Sequence, residues 1–328
     1  MKHGGNMTKF ITLLGLGLAS ILATGMPAYS AEDPPAWAYP VNPPGFKPSP
    51  DDGTIRRVPG STAGYTLTQL RDRFISPDWH PADYPTRPDI VARGRKPDAY
   101  ASGFCHRADG PGGPENANLT GLPAAYIVQQ MMDFKSGARK GSVLERQPMQ
   151  VKADVIKSVT EPELQAAATY FSSIKPRSIV RVVEASIVPK TYITGSHLAT
   201  VKTGETEPIG QRIIEVPDDL EQFVNRDTRA RFTAYVPVGS IQKGQALVAD
   251  GGGGKTVQCG ICHGPDLKGL GPIPGIAGRS PSYTFRQLYD FKYGTRAGTG
   301  AALMKPTVEK LTIEDMLNLA AYAASLSP

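Results

Sequence analysis

Cys259-Gly260-Ile261-Cys262-His263 brings two thiols and an imidazole together within five residues. In the C-x-x-C-H pattern the thiols are three apart, so both can reach the vinyl groups on one side of a porphyrin. The adjacent histidine then lies beneath the ring and offers a nitrogen to iron. Haem c held this way takes its potential from axial ligands, burial and hydrogen bonds. Competing chemistries need other neighbours. A thioredoxin-like pair follows a β-strand, whereas Gly251 to Gly254 precede this motif. A zinc site wants a second ligand pair, and the other Cys-His, Cys105-His106, lies 157 residues earlier.

The sixth iron ligand should be a sulfur or nitrogen from later in the same domain. Met304 follows His263 by 41 residues, beside Lys305-Pro306. Met149 follows His106 by 43, beside Pro148. Both are expected in loops before a closing helix, and a thioether raises the potential to suit electron transfer. Met131 and Met316 read as helical core.

A repeat carries this chemistry. At an offset of 157, Cys105-His106 falls on Cys262-His263, and Asp109, Gly112 and Gly121 fall on Asp266, Gly269 and Gly278. Tyr126 and Gln130 fall on Tyr283 and Gln287; Asp133-Phe134-Lys135, Gly137 and Arg139 fall on Asp290-Phe291-Lys292, Gly294 and Arg296. So many matches in register indicate two copies of one domain. The first copy has Ser102 in place of the first cysteine. Three readings of it stand: a haem held by one thioether through Cys105, a haem held by His106, Met149 and packing, or an empty structural copy.

The elements around the motifs read as helices. Ile127, Met131, Phe134 and Ala138 share one face of a helix near 124–138. Thr160-Glu161-Pro162-Glu163 is a capping box before Leu164, Ala167, Ala168, Phe171 and Ile174. Thr312 and Asp315 open the matching helix, with Met316, Leu319, Ala320, Ala323 and Leu326. Short opening helices are expected near 88–94 and 241–250. Residues 31–87, with Pro34-Pro35 and Pro43-Pro44, read as an extended strap with little core. Residues 177–240 contain β-branched runs at Ile179–Val183, Arg212–Val216 and Phe232–Val236, which predict a few strands.

The expected organisation is therefore a signal at 1–30, the strap at 31–87, a first domain at 88–176, an insert at 177–240 and a second domain at 241–328. The fold class is mainly α: two tandem helical domains joined by a segment with a few β-strands.

The 328 residues, 40% apolar and 20% charged, fit a soluble globular protein of about two domains. A net charge of +6 without dense basic runs excludes a nucleic-acid binder. Lys2, His3 and Lys9, the apolar run Phe10–Met26 and Ala28-Tyr29-Ser30 lay out a secretory signal peptide. A retained anchor is the alternative; at 17 residues the run is marginal for about 30 Å of hydrocarbon. Haem chemistry beside an export signal implies the periplasm. Gly251–Thr256 resembles a P-loop but has Ala249 where the first glycine is required. His80, near Asp78 and Asp83, and His197 read as surface or packing residues rather than metal ligands.

On Cys259, Cys262, His263 and Met304, on Cys105, His106 and Met149, and on the shared Tyr-x-x-x-Gln…Asp-Phe-Lys-x-Gly-x-Arg pattern, the sequence resembles the class I c-type cytochromes. The form is the tandem dihaem one typified by cytochrome c4, over residues 88–176 and 241–328. The resemblance implies haem c and iron, with thioethers at Cys259 and Cys262 and a single one at Cys105. It implies axial pairs His263/Met304 and His106/Met149. Such proteins pass single electrons between membrane complexes and have no substrate chemistry of their own. The partners implied are a quinol–cytochrome c reductase, a haem–copper oxidase or a periplasmic dehydrogenase, with peripheral membrane contact. Ser102, the strap and the insert depart from the family. Alternatives are a fixed cytochrome subunit of a membrane-bound dehydrogenase or sulfur-oxidising complex, and a haem enzyme with an open coordination site in the first domain. A fourth reading gives the first copy a non-redox structural role.

Overall fold

The computed structural model describes Met1 and residues 33–328. The expected export signal, beyond Met1, lies outside the described residues. Helix α1 (Leu67–Arg71) belongs to the strap. The first copy contributes α2 (Asp89–Ala92), α3 (Ser102–His106), α4 (Ala124–Ser136), α5 (Gln147–Ser158) and α6 (Glu161–Ser173). The insert carries α7 (Leu220–Val224). The second copy contributes α8 (Ser240–Asp250), α9 (Gly260–His263), α10 (Pro281–Lys292), α11 (Ala301–Val308) and α12 (Ile313–Ser325). The protein is mainly helical.

Local chemistry sets the helix ends. Thr160 with Glu163 and Thr312 with Asp315 form reciprocal capping boxes at α6 and α12, satisfying orphan N–H groups. Gly137 ends α4 in the left-handed conformation, at φ 78°. Ser280 caps α10 through the Tyr283 N–H, with Pro281 in the first turn. Burial then selects faces. Leu164, Ala168 and Phe171 of α6 enter one core with Ile127 and Ile90. Met316, Leu319 and Ala320 of α12 enter another with Phe285 and Tyr289. Each large side chain buried there contributes about 1.5–3 kcal/mol.

Helices α8 and α12 cross at Gly244, where a Cβ would come 2.0 Å from the Asn318 carbonyl oxygen. Only glycine lets the two backbones approach that closely.

The insert forms strands β1 (Val180–Glu184), β2 (Ile187–Pro189), β3 (Thr191–Thr194), β4 (His197–Thr200), β5 (Thr206–Pro208), β6 (Ile214–Pro217) and β7 (Phe232–Val236). Strand β7 is central, parallel to β1 and antiparallel to β6. Two hairpin-like pairs, β2 with β5 and β3 with β4, complete it. A short pair, β8 (Gly269–Leu270) and β9 (Ile273–Pro274), follows α9.

The strap differs from the expectation of little core. Val58, Leu67, Leu70 and Trp79 form a small cluster of their own. It is closed from outside: Trp79 Nε1 donates to the Asn225 carbonyl at 2.8 Å, and buried His80 pairs with Asp227 at 2.9 Å. Four apolar residues suffice because the insert covers them. Further upstream, Trp37 packs on Phe285 with centroids 4.6 Å apart, and the Tyr39 hydroxyl donates to Asp290 at 2.8 Å. The insert grips both copies. Its Arg226 donates to the Phe104 carbonyl at 2.7 Å, and its buried Glu215 accepts from Ser280 Oγ at 2.7 Å. Residues 34–328 thus form one compact unit.

Candidate functional site

In the second copy, Gly251 to Gly254 all have positive φ, and this turn delivers Cys259 to the start of α9. The single turn of α9 raises His263, whose Nδ1–H donates to the Pro274 carbonyl of β9 at 2.8 Å. That bond fixes the tautomer and leaves Nε2 as the free ligand nitrogen. Burial pushes the His263 pKa down, which keeps the imidazole neutral. The Cys259 thiol is half-buried and pushed up to about 11 by burial, whereas Cys262 is exposed.

The first copy repeats this arrangement. His106 Nδ1–H donates to the Ala117 carbonyl at 2.8 Å, and in both copies the acceptor lies 11 residues after the histidine. Burial pushes His106 down to about 3, with the charge of Lys152 acting in the same direction. Where the second copy has Cys259, the Ser102 hydroxyl donates to the Ile90 carbonyl at 3.3 Å. Cys105 is half-buried, with its thiol pKa raised by burial.

One continuous cavity is lined by His106, Met149 and Lys152 of the first copy and by Cys259, Cys262, His263 and Met304 of the second. Cys105 is not among its lining residues. Met149 and Met304 lie on helices α5 and α11, not in the expected loops. Pro148 sits in the first turn of α5, where a missing N–H costs nothing. Helix α11 carries Pro306 in its interior, with Ala301 and Val308 buried at its two ends. Met131 lines the cavity rather than filling core; Met316 is fully buried as expected. His80 and His197 lie elsewhere: His80 on Asp227, and His197 against the Phe223 ring at 4.6 Å.

Between the copies, the residues of the repeated pattern cross over. Arg139 donates to Gln130 Oε1 (2.7 Å), Tyr283 OH (2.9 Å) and Gln287 Oε1 (2.8 Å). Arg296 donates to Gln287 Oε1 (3.0 Å), Tyr126 OH (2.8 Å) and Gln130 Oε1 (2.7 Å). The sequence flags these residues as repeated but does not show that they pair with each other's copy.

The lining fits haem. Its walls are apolar, and two neutral imidazoles present free nitrogens. Arg139, Arg279, Arg286 and Arg296 also line it, and they bond to phenols, amides and backbone carbonyls. Burial pushes Arg279 down to about 10 and Arg146 to about 9, and Arg146 Nε is buried without a partner. Glu115 and Asp290 are the carboxylates of a lining that carries five arginines, Arg139, Arg146, Arg279, Arg286 and Arg296. That surplus of cations favours anions, and the two propionates of a haem are anions.

No family model matches the chain. It is 40% identical over 78 residues to cytochrome c-554(548) of Halomonas halodenitrificans, which covers 24% of this chain and 94% of that protein. It is 30% identical over 150 residues to cytochrome c4 of Stutzerimonas stutzeri, covering 39% of this chain and 70% of that one. The chain belongs to the c-type cytochromes of the cytochrome c4 kind. It is an electron carrier whose cofactor is haem c, with iron. This cytochrome is also 25% identical over 237 residues to the thiosulfate dehydrogenase electron acceptor of Thiomonas intermedia, over 71% of this chain and 82% of that protein. Among its described residues no helix is long and apolar enough to cross a membrane.

Proposed function

We propose that this cytochrome is an exported, periplasmic two-centre relay that takes single electrons from a dehydrogenase of sulfur compounds and passes them on. The observation that carries the reading is the shared cavity, with a free imidazole nitrogen from each copy and buried arginines between them. Haem c, when bound, supplies a one-electron iron couple. Cys259 and Cys262 would hold it covalently in the second copy, and Cys105 would do so singly in the first. His263 and Met304 would hold its iron in the second copy. His106 would hold the iron in the first, and Met149, Met131 and Lys152 stand among the cavity residues of that copy. The arginines would hold the propionates of a bound haem and raise its potential through positive charge.

Exposed Val257 and Leu303 line the cavity, and exposed Ile261 and Leu270 lie close in sequence to Cys262. They offer an apolar docking edge where a partner approaches the second centre. The likeness to an electron acceptor of thiosulfate dehydrogenase favours a sulfur-compound dehydrogenase as the donor. The strap and insert are engaged internally, through Tyr39, His80 and Glu215. That favours a carrier over a subunit fixed by protruding arms.

The test is stopped-flow reduction of the purified haem-loaded protein by a thiosulfate-oxidising dehydrogenase at several salt concentrations. Saturable reduction to two electrons per chain is expected. A chain that takes up one electron, or none, overturns the relay.

A further inference from the structure

Two registers relate the copies. From Cys105 to Arg139 the offset is 157, but at the closing helices it is 152, where Thr160 falls on Thr312 and both open capping boxes. Leu164 and Ala168 then fall on Met316 and Ala320, all four buried. The 152 offset continues without a gap into the preceding helices, where Ile156 falls on Val308, 2% and 0% exposed. Four residues before that pair, Lys152 of α5 falls on Met304 of α11. Both side chains line the cavity. Met149 falls on Ala301, and its side chain packs against Gly141.

The surroundings of Lys152 agree. Its Nζ lies 3.6 Å from Met131 Sδ. Its electrostatic neighbours are Cys105 and Arg139, with no carboxylate among them. Its charge reaches His106 within the same pocket. Lys152 is half-buried, and an ammonium drawn from water into an apolar pocket without a paired carboxylate is costly. The neutral amine has a lone pair and is a nitrogen ligand.

We propose that Lys152 is the sixth iron ligand in the first copy, so that a His106/Lys152 centre sits beside a His263/Met304 centre. This rests on the reading that the first copy holds a haem. On ligation one Fe–N bond forms through the Nζ lone pair, one proton passes from the ammonium to water, and no electron moves. An amine favours ferric iron, whereas a thioether raises the potential. Lys152 therefore makes the first copy the lower-potential side, and electrons run from it toward the second copy.

The experiment uses the exported, haem-loaded full chain. Haem per chain is counted by pyridine haemochrome, and the sulfur-to-iron charge-transfer band of the ferric protein is measured per haem. Two haems and the band intensity of one are expected. Lys152→Met, which copies the second site, should double the band and raise the lower midpoint potential. Lys152→Ala should give a high-spin ferric signal from one haem, and Met149→Ala should leave the band and spin state as they are. Wild-type intensity for two sulfur ligands, halved by Met149→Ala, overturns the assignment. A low-spin Lys152→Ala protein with an unchanged spectrum also overturns it. A count of one haem overturns the occupancy on which it rests, by a separate readout.

Discussion

Arg139 and Arg296, the same residue of the two repeats, meet in an antiparallel backbone bridge, and each donates to the other copy's tyrosine, at 2.9 and 2.8 Å. Two like charges are thereby buried face to face across the boundary. Asp290 acts on Arg139 from nearby, yet the arginines of the cavity outnumber its carboxylates, so the site favours anionic groups. Arg139→Gln should have two effects. It leaves half-buried Tyr283 without the Arg139 donor, at a cost of roughly 1 kcal/mol, read by denaturant unfolding. It also removes a cation near both centres, lowering the midpoints by on the order of 60 mV in spectroelectrochemical titration, about a tenfold change for one electron. Unchanged midpoints would show that the charge does not act on the redox centres.

The Gly244 crossing is a tight steric constraint. A Cβ there would sit 2.0 Å from Asn318 O and 2.7 Å from Tyr322 Cβ. Gly244→Ala must push α8 off α12. The expected loss is about 1–3 kcal/mol despite the better helix propensity of alanine. Thermal unfolding by circular dichroism checks it; a stabilised variant would mean that the helices are not held that closely.

Acid should weaken the first copy through Glu163. Its carboxyl is held down to about 2, first by the hydrogen bond from Arg95 and then by Thr160. A depressed folded pKa stabilises the fold above the unfolded value, near 4.5, and that stabilisation is lost as pH falls toward about 2. Glu163→Gln should flatten the stability profile in that window and lower stability at neutral pH. Parallel wild-type and variant profiles from pH 5 to about 2 would refute the coupling.

The first copy's attachment is separately testable. Cys105→Ala should leave one of two haems extractable by acidified organic solvent, halving the covalent haem. Ser102→Cys restores the full motif and should move the haemochrome band of that copy to the two-thioether position. Equal covalent haem in Cys105→Ala and wild type would place no thioether at Cys105.

Much of this was readable along the chain. The motif, the 157 register and both capping boxes are short-range patterns, and they mark α4, α6, α10 and α12 to within a few residues. The strands of the insert showed in β-branched runs, with β7 at the expected Phe232–Val236. The methionine helices did not show, because Pro148 and Pro306 resemble breakers until burial of the surrounding residues is known.

The sequence by itself determined the repeat, the haem chemistry of the second copy and the periodic faces of its helices, because those depend on residues a few positions apart. Tertiary structure decided what depends on distant partners. It set Tyr39 on Asp290, 251 residues away, and Trp79 on Asn225, 146 away. It brought Arg139 and Arg296 into one cluster, and it placed Lys152 in the cavity beside Met131. Periodicity says which face of a helix is buried. Which group meets it there is fixed only when the other elements close around it.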